Sequence, residues 1–212
     1  MRLLRRLLLA LLLAFVASLA LGRFLPVSST LMIGRWVTFQ PVERHWVPLS
    51  SISPTLPRAV IASEDQRFCS HWGVDFVELR AVLEEEEGAG RGASTITMQV
   101  AKNVYLWPGR SYIRKGLELP IALLIDTIWG KRRVMEIYLN VAEWGEGIFG
   151  AEAAARHYFR KPASALNAAE AARLASVLPN PILRDAGRAS TASRRVLGRM
   201  GGVGDLTACV EG

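Results

Sequence analysis

Cysteine is nearly absent from this chain of 212 residues. The two present, Cys69 and Cys209, make no disulfide framework and lack metal-ligand spacing. The three histidines, His45, His71 and His157, are too scattered to suggest a His-rich metal site. Alternating strand-like runs are few and nothing repeats, which disfavours an all-β fold or a solenoid. No basic tract with interleaved aromatics occurs, and this argues against nucleic acid as the partner. No Gly-x-x-x-x-Gly-Lys-Ser/Thr is found, and Gly88-x-Gly90-x-Gly92 is not a dinucleotide fingerprint. If the chain is a transferase, its donor is not a nucleotide gripped by those devices.

What is present bounds the class. The hydrophobic share is 50%, enough for a packed core, and the length suits one ordinary domain plus an N-terminal segment. The net charge of +7 calls for an anionic partner. Nucleic acid, anionic headgroups and a diphosphate substrate all qualify on charge alone.

Arg2, Arg5 and Arg6 precede an uncharged run from Leu7 to Gly22, which Leu3, Leu4 and Phe24 to Val27 extend toward the length of about 20 residues that a membrane span needs. Residues 1–27 are therefore expected to be a membrane anchor, its arginines cytoplasmic and the rest of the chain outside. A cleaved signal peptide is the rival, because Ser18-Leu19-Ala20 is a passable cleavage site. Residues 28–57, with Pro41, Pro48, Pro54 and Pro57, read as an irregular linker packing on the domain. Residues 58–200 read as a mainly α domain, and 201–212 as a disordered tail. Helices are expected over Leu79 to Glu87, Tyr112 to Leu124, Lys131 to Asn140, Ala151 to Tyr158, Ala168 to Leu178 and Ser190 to Met200. A break is expected at Gly88 to Gly92 and another at Gly130. The apolar run Leu117 to Trp129 reads as a buried core helix.

Five blocks carry candidate chemistry. Glu64-Asp65-Gln66-Arg67-Phe68-Cys69-Ser70-His71-Trp72-Gly73-Val74-Asp75 concentrates carboxylates, a histidine and aromatics. Glu136 is a second, distant carboxylate, and such a pair suits acid/base chemistry at a sugar carbon. Plain alternatives exist for each block. Ser63 and Gln66 have the spacing of a capping box, and Arg114 with Glu118 that of a surface i, i+4 ion pair. Ser94, Thr95, Gln99 and Lys102 read equally as a capped helix or as the lining of an anion or sugar site. Arg110, Arg114 and Lys115 can present donors to a diphosphate. Arg194 and Arg195 belong to a basic, solvated helix.

In order and combination the blocks resemble glycosyltransferase family 51, the peptidoglycan glycosyltransferases. The motifs that carry the resemblance are Glu64-Asp65-x-x-Phe68-x-x-His71-x-Gly73-x-Asp75, Gly92 through Gln99 with Lys102-Asn103, Arg114-Lys115-x-x-Glu118, and Lys131 through Glu136-x-Tyr138-Leu139-Asn140. A stretch from Trp144 to Lys161 and Leu178-Pro179-Asn180-Pro181 add to it. The short chain is similar to the monofunctional members. Met98 departs from the pattern, standing where the family usually carries a glutamine, and the fifth motif matches imperfectly at Arg194 or Arg195.

The resemblance implies a lysozyme-like helical domain with a smaller membrane-facing lobe, in the inner membrane with the domain periplasmic. It implies polymerisation of lipid II onto a glycan strand carried by undecaprenyl diphosphate. Glu64 would be general base, and Glu136 would assist departure directly or through a bound cation. Ser94, Thr95, Gln99, Lys102, Arg110, Arg114, Lys115 and Glu118 would bind substrate. No resident cofactor is implied, although a divalent cation, Mg or Mn, is compatible with the diphosphate. Other wall-synthesis or division proteins are expected partners. The rival readings are a lysozyme-like enzyme that cleaves finished glycan and a membrane-anchored, non-catalytic scaffold, the latter supported only by Met98. Cys69 and Cys209 could pair in an oxidising compartment, but a disordered tail argues against it.

Overall fold

The computed structural model describes residues 1–84, 94–109 and 111–211. The described chain is mainly helical. Helix α1 runs Arg2–Gly22 and α2 Thr30–Val37. Helices α3 Thr55–Glu64, α4 Phe76–Glu84, α5 Ile96–Tyr105 and α6 Tyr112–Val141 follow, and α7 Ala151–Phe159, α8 Ala168–Ala175 and α9 Thr191–Met200 complete the domain. A small sheet joins β1 Glu43–Arg44, β2 Glu143–Gly145 and β3 Ile148–Phe149 in the order β1-β3-β2, with β3 parallel to β1 and antiparallel to β2.

Local chemistry explains most boundaries. Ser29, Thr95, Ser111, Asn167 and Ser190 each accept a backbone N–H at the start of a helix. Asp75 does the same for α4, accepting from the N–H groups of Val77 and Glu78 at 3.1 Å each. Ala151, Ala153, Ala154 and Ala155 on α7 and Ala171, Ala172 and Ala175 on α8 are buried with no side-chain entropy to lose, so these helices pack closely. The expected break at Gly130 is present. Its φ of 73° and ψ of 162° lie where only glycine is comfortable, and they bend α6 between Trp129 and Lys131.

Four expectations need correction. The segment 28–57 is not merely irregular: it supplies α2 and β1, and its Met32, Leu49 and Ile52 join the core. Ser63 does not begin a helix but stands in the last turn of α3, its hydroxyl reaching back to the Val60 carbonyl at 3.3 Å. The tail is ordered over residues 201–211. Val203, Thr207 and Val210 are buried, a short 3-10 turn spans Asp205–Thr207, and Cys209 is disulfide-bonded to Cys69 with Cα atoms 5.6 Å apart. The run Leu117 to Trp129 is buried on one face only. Ala122, Ile125 and Trp129 are inside, whereas Leu117, Leu123 and Leu124 are exposed. Helix α4 begins at Phe76 and is described as far as Glu84, so the expected residues 85–87 and the break at Gly88 to Gly92 lie outside the described residues.

Candidate active site

Helix α3 ends where the chemistry begins. Its last residue, Glu64, is largely withdrawn from water and meets one face of α5. The Gln99 amide donates to Glu64 Oε2 at 3.1 Å, and the Ser63 hydroxyl donates to Oε1 at 3.3 Å. Gln99 is itself fixed, because the Tyr138 hydroxyl of α6 donates to its Oε1 at 3.1 Å. Burial pushes the Glu64 carboxyl above the ordinary carboxylate range, against the opposing pull of its two hydrogen bonds and of Lys102 and Arg184. A raised carboxyl beside cations is suited to taking a proton near neutral pH.

The cations form a second cluster. Gln99 and Lys102 lie three residues apart on α5 and so share a face. Lys102 is lowered by burial first and by Arg114 second, while Glu64 opposes the shift. Lys115 is likewise lowered by burial, then by Arg114 and Lys102. Lys102, Arg114 and Lys115 therefore crowd one another. Glu118 holds the crowd together, accepting Arg114 through one oxygen and Lys115 through the other at 3.0 Å. Lys115 Nζ also donates to Ser94 Oγ at 3.3 Å. The Arg114–Glu118 pair is buried, not the solvated ion pair that spacing suggested: Glu118 is 2% exposed.

Other residues of the first block build the scaffold. The Asp65 carboxylate pairs with His71 Nε2 at 3.0 Å and accepts the Ile96 N–H at 3.0 Å, tying the end of α3 to the start of α5. Gly73 sits at φ 77°, and a Cβ there would come within 2.5 Å of the Ala122 carbonyl oxygen. Phe68 is wholly buried beneath the Lys131 ammonium, 4.6 Å from the ring centroid, and Lys131 pairs with Asp126 at 2.7 Å.

The expected site residues thus separate into groups. Glu64, Gln99 and Lys102 are brought together, with Arg114, Lys115, Glu118 and Ser94 beside them. Thr95 is adjacent, but its hydroxyl is committed to capping α5 and to the Gly73 carbonyl. Arg110 lies outside the described residues. Glu136 is not among the groups acting on Glu64. It accepts the Leu49 N–H at 2.9 Å and pairs with Arg133. Arg194 and Arg195 are exposed on α9, and the arginine that acts on Glu64 is Arg184, which donates to the Ser176 carbonyl at 2.7 Å. Only its place just after Leu178-Pro179-Asn180-Pro181 could have pointed to it. Met98 is fully buried in the core and leaves the amide inventory beside Glu64 unchanged.

A helical domain with a half-buried glutamate facing a cation cluster has known counterparts. The transglycosylase family model matches residues 32–201. The chain belongs to the transglycosylase family. A biosynthetic peptidoglycan transglycosylase of Brucella suis biovar 1 (strain 1330) is 50% identical over 189 residues, covering 86% of this chain and 84% of that protein. One from Agrobacterium fabrum (strain C58 / ATCC 33970) is 53% identical over 177 residues, covering 82% and 78%. One from Rhizobium johnstonii (strain DSM 114642 / LMG 32736 / 3841) is 47% identical over 221 aligned positions, covering 99% and 90%. In this transglycosylase the matched region includes α3, α5 and α6, and hence Glu64 and the cations facing it.

Proposed function

We propose that this transglycosylase polymerises lipid II into β-1,4-linked glycan, with Glu64 as the general base. The observation that carries this reading is the half-buried Glu64 carboxylate set against Gln99, Lys102 and Arg184. Ionised Glu64 takes the proton of the acceptor's GlcNAc 4-hydroxyl. That oxygen bonds to the anomeric carbon of the donor strand's terminal MurNAc. The bond from this carbon to the undecaprenyl diphosphate oxygen breaks, and the oxygen keeps the electron pair. Attack from the face opposite the α-linked leaving group gives the β product. The leaving diphosphate gains negative charge, and Lys102, Arg114 and Lys115 are fixed beforehand where such charge is stabilised strongly in a water-poor cleft. Gln99 and Ser94 line the sugar-facing side, Thr95 shapes the start of α5, and Glu118 holds Arg114 and Lys115 in place. Glu136 remains the candidate for assisting departure, directly or through a bound cation, and is held in place by Arg133 and the Leu49 N–H.

Helix α1 is long and apolar enough to cross a membrane. In our reading it anchors the enzyme where its lipid-linked substrates lie, with Arg2, Arg5 and Arg6 cytoplasmic and the domain outside. The Cys69–Cys209 disulfide suits that oxidising side. Among the described residues no three His, Cys, Asp or Glu are grouped to hold a metal ion. Glu118, the carboxylate within the cation cluster, is already engaged by Arg114 and Lys115. A protein-held Mg or Mn does not fit that donor set.

The cation cluster favours a diphosphate substrate over the neutral glycan that a cleaving enzyme would take, and the organised Glu64 surroundings disfavour a scaffold. The test is polymerisation of labelled lipid II by the detergent-purified full chain, wild type beside Glu64→Gln, each with and without chelator. Wild type should make glycan chains, and Glu64→Gln should be slower by roughly 10²–10⁴-fold. An inactive wild type, or a fully active Glu64→Gln, overturns the reading.

A further inference from the structure

The end of α1 is gripped by the domain through backbone atoms. The Trp129 indole donates to the Leu19 carbonyl at 2.7 Å. Arg133 donates to the Gly22 carbonyl from Nε at 3.1 Å and from Nη2 at 3.0 Å, and Nη2 also reaches the Leu25 carbonyl. The Leu19 and Gly22 carbonyls belong to the last turn of α1, where a helix leaves carbonyls unpaired and the dipole favours a cation, and the Leu25 carbonyl lies just beyond it. The remaining fork nitrogen of Arg133, Nη1, pairs with Glu136, whose other oxygen accepts the Leu49 N–H at 2.9 Å. Arg133 is 14% exposed and Glu136 19%, so the chain of contacts is mostly out of water.

The register of this grip is set by Gly22. A Cβ there would approach Trp129 Cζ2 to 2.6 Å, so any side chain must push the indole away or lift the helix. The kink at Gly130 turns α6 so that Trp129 and Arg133 both address the same helix end.

We propose that α1 is a working part of the enzyme: its terminal carbonyls position Arg133 and, through it, Glu136 and the Leu49 segment, so turnover depends on how the helix is docked and not on tethering alone. Arg133 is a positioning residue in this scheme. The inference rests on the transglycosylase reaction proposed above. Because carbonyls make the contacts, the identity of the exposed leucines on α1 is irrelevant, while register and the smallness of residue 22 are decisive.

The experiment compares full-length variants in vesicles of anionic lipid, reading the membrane-bound fraction, unfolding midpoint, KM and kcat for labelled lipid II. The variants are Leu8→Val with Leu12→Val, Gly22→Ala, Arg133→Gln, and the Gly22→Ala/Arg133→Gln double. The leucine variant should match wild type. Gly22→Ala, although the better helix former, should stay membrane-bound and folded yet lose kcat by roughly ten- to a hundredfold with KM little changed. Arg133→Gln should lose a similar factor. The double should be no worse than either single, because one cleared contact cannot be cleared twice. Unchanged kcat in Gly22→Ala, or losses that multiply in the double, overturns the proposal. Wild type inactive on lipid II instead overturns the reaction on which the proposal rests.

Discussion

Removing the Cys69–Cys209 disulfide should cost this enzyme a large part of its stability and little of its chemistry. The bridge closes a loop across a sequence separation of 140 residues. Chain-entropy arguments give about 5 kcal/mol for a loop that long, and removal of native bridges commonly costs about 2–5 kcal/mol. The bridge also has packing to protect. Val203, Thr207 and Val210 are buried around it, and Arg132 donates to the Val210 carbonyl at 2.9 Å. At about 3–5 kcal/mol, with roughly 2–4 °C of midpoint per kcal/mol for a domain of this size, the shift should be about 10 °C. The assay is unfolding in detergent of oxidised wild type, reduced wild type and the Cys69→Ser/Cys209→Ser double variant, with thiols titrated in each. The reduced and double-serine forms should agree with one another and melt well below the oxidised form, with residues 201–211 opened to protease. No cysteine is among the groups acting on Glu64, so polymerisation well below the new midpoint should persist. Equal midpoints for oxidised protein and for reduced protein with two titrated thiols would refute the reasoning.

Activity should be confined to a pH window narrower than the free side chains would allow. Its acid limb should be displaced upward, because burial raises Glu64, and its alkaline limb downward, because burial and neighbouring cations lower Lys102 and Lys115. A kcat/KM profile with an acid limb in the ordinary carboxylate range would contradict this. The same shift has a sign for stability. Folded Glu64 holds its proton more tightly than unfolded Glu64, so its contribution to stability falls as pH rises from the ordinary carboxylate pKa through the raised one. Glu64→Gln should remove that part of the stability profile. Met98→Gln should bring no gain in rate. With Met98 fully buried, the new amide should cost about 1–3 kcal/mol, visible as a lower urea midpoint, and a faster enzyme would show that residue 98 reaches the cleft.

Much of this could be read before the structure. The helical class and the break at Gly130 follow from local signals, whereas the convergence of Glu64, Gln99 and Lys102 was legible only through the family resemblance of their blocks. The failures are of two kinds. Some were legible but misweighed: Met98 and Gln99 are adjacent on a helix, about 100° apart, so only one could face Glu64. Tyr138 reaches Gln99, and Glu136, two residues earlier, turns to the opposite side of α6. Others depend on contacts distant in sequence. Ser63 looks like a cap until the apolar turn before it packs as α3, and the polar tail looks disordered until Cys209 meets Cys69. Arg184 becomes relevant only because α8 packs on α3 and brings the following loop toward Glu64.

The two clusters explain each other. Lys102, Arg114 and Lys115 repel, and Glu118 offsets only part of that, so the substrate-free site is short of negative charge. A diphosphate supplies it. In the proposed reaction its arrival offsets the part of the lowering that neighbouring cations cause, while burial still acts on both lysines, and the leaving group meets donors already in position. The same event acts on Glu64. In the substrate-free enzyme Lys102 draws its pKa down against the upward push of burial. A diphosphate beside Lys102 cancels much of that attraction, so the carboxylate becomes a stronger base once the donor is bound. In the proposed reaction, proton removal and leaving-group stabilisation are coupled through Lys102, which belongs to both clusters. On that reading, replacing it with a neutral residue should weaken diphosphate binding and also disconnect the base from the arrival of its substrate.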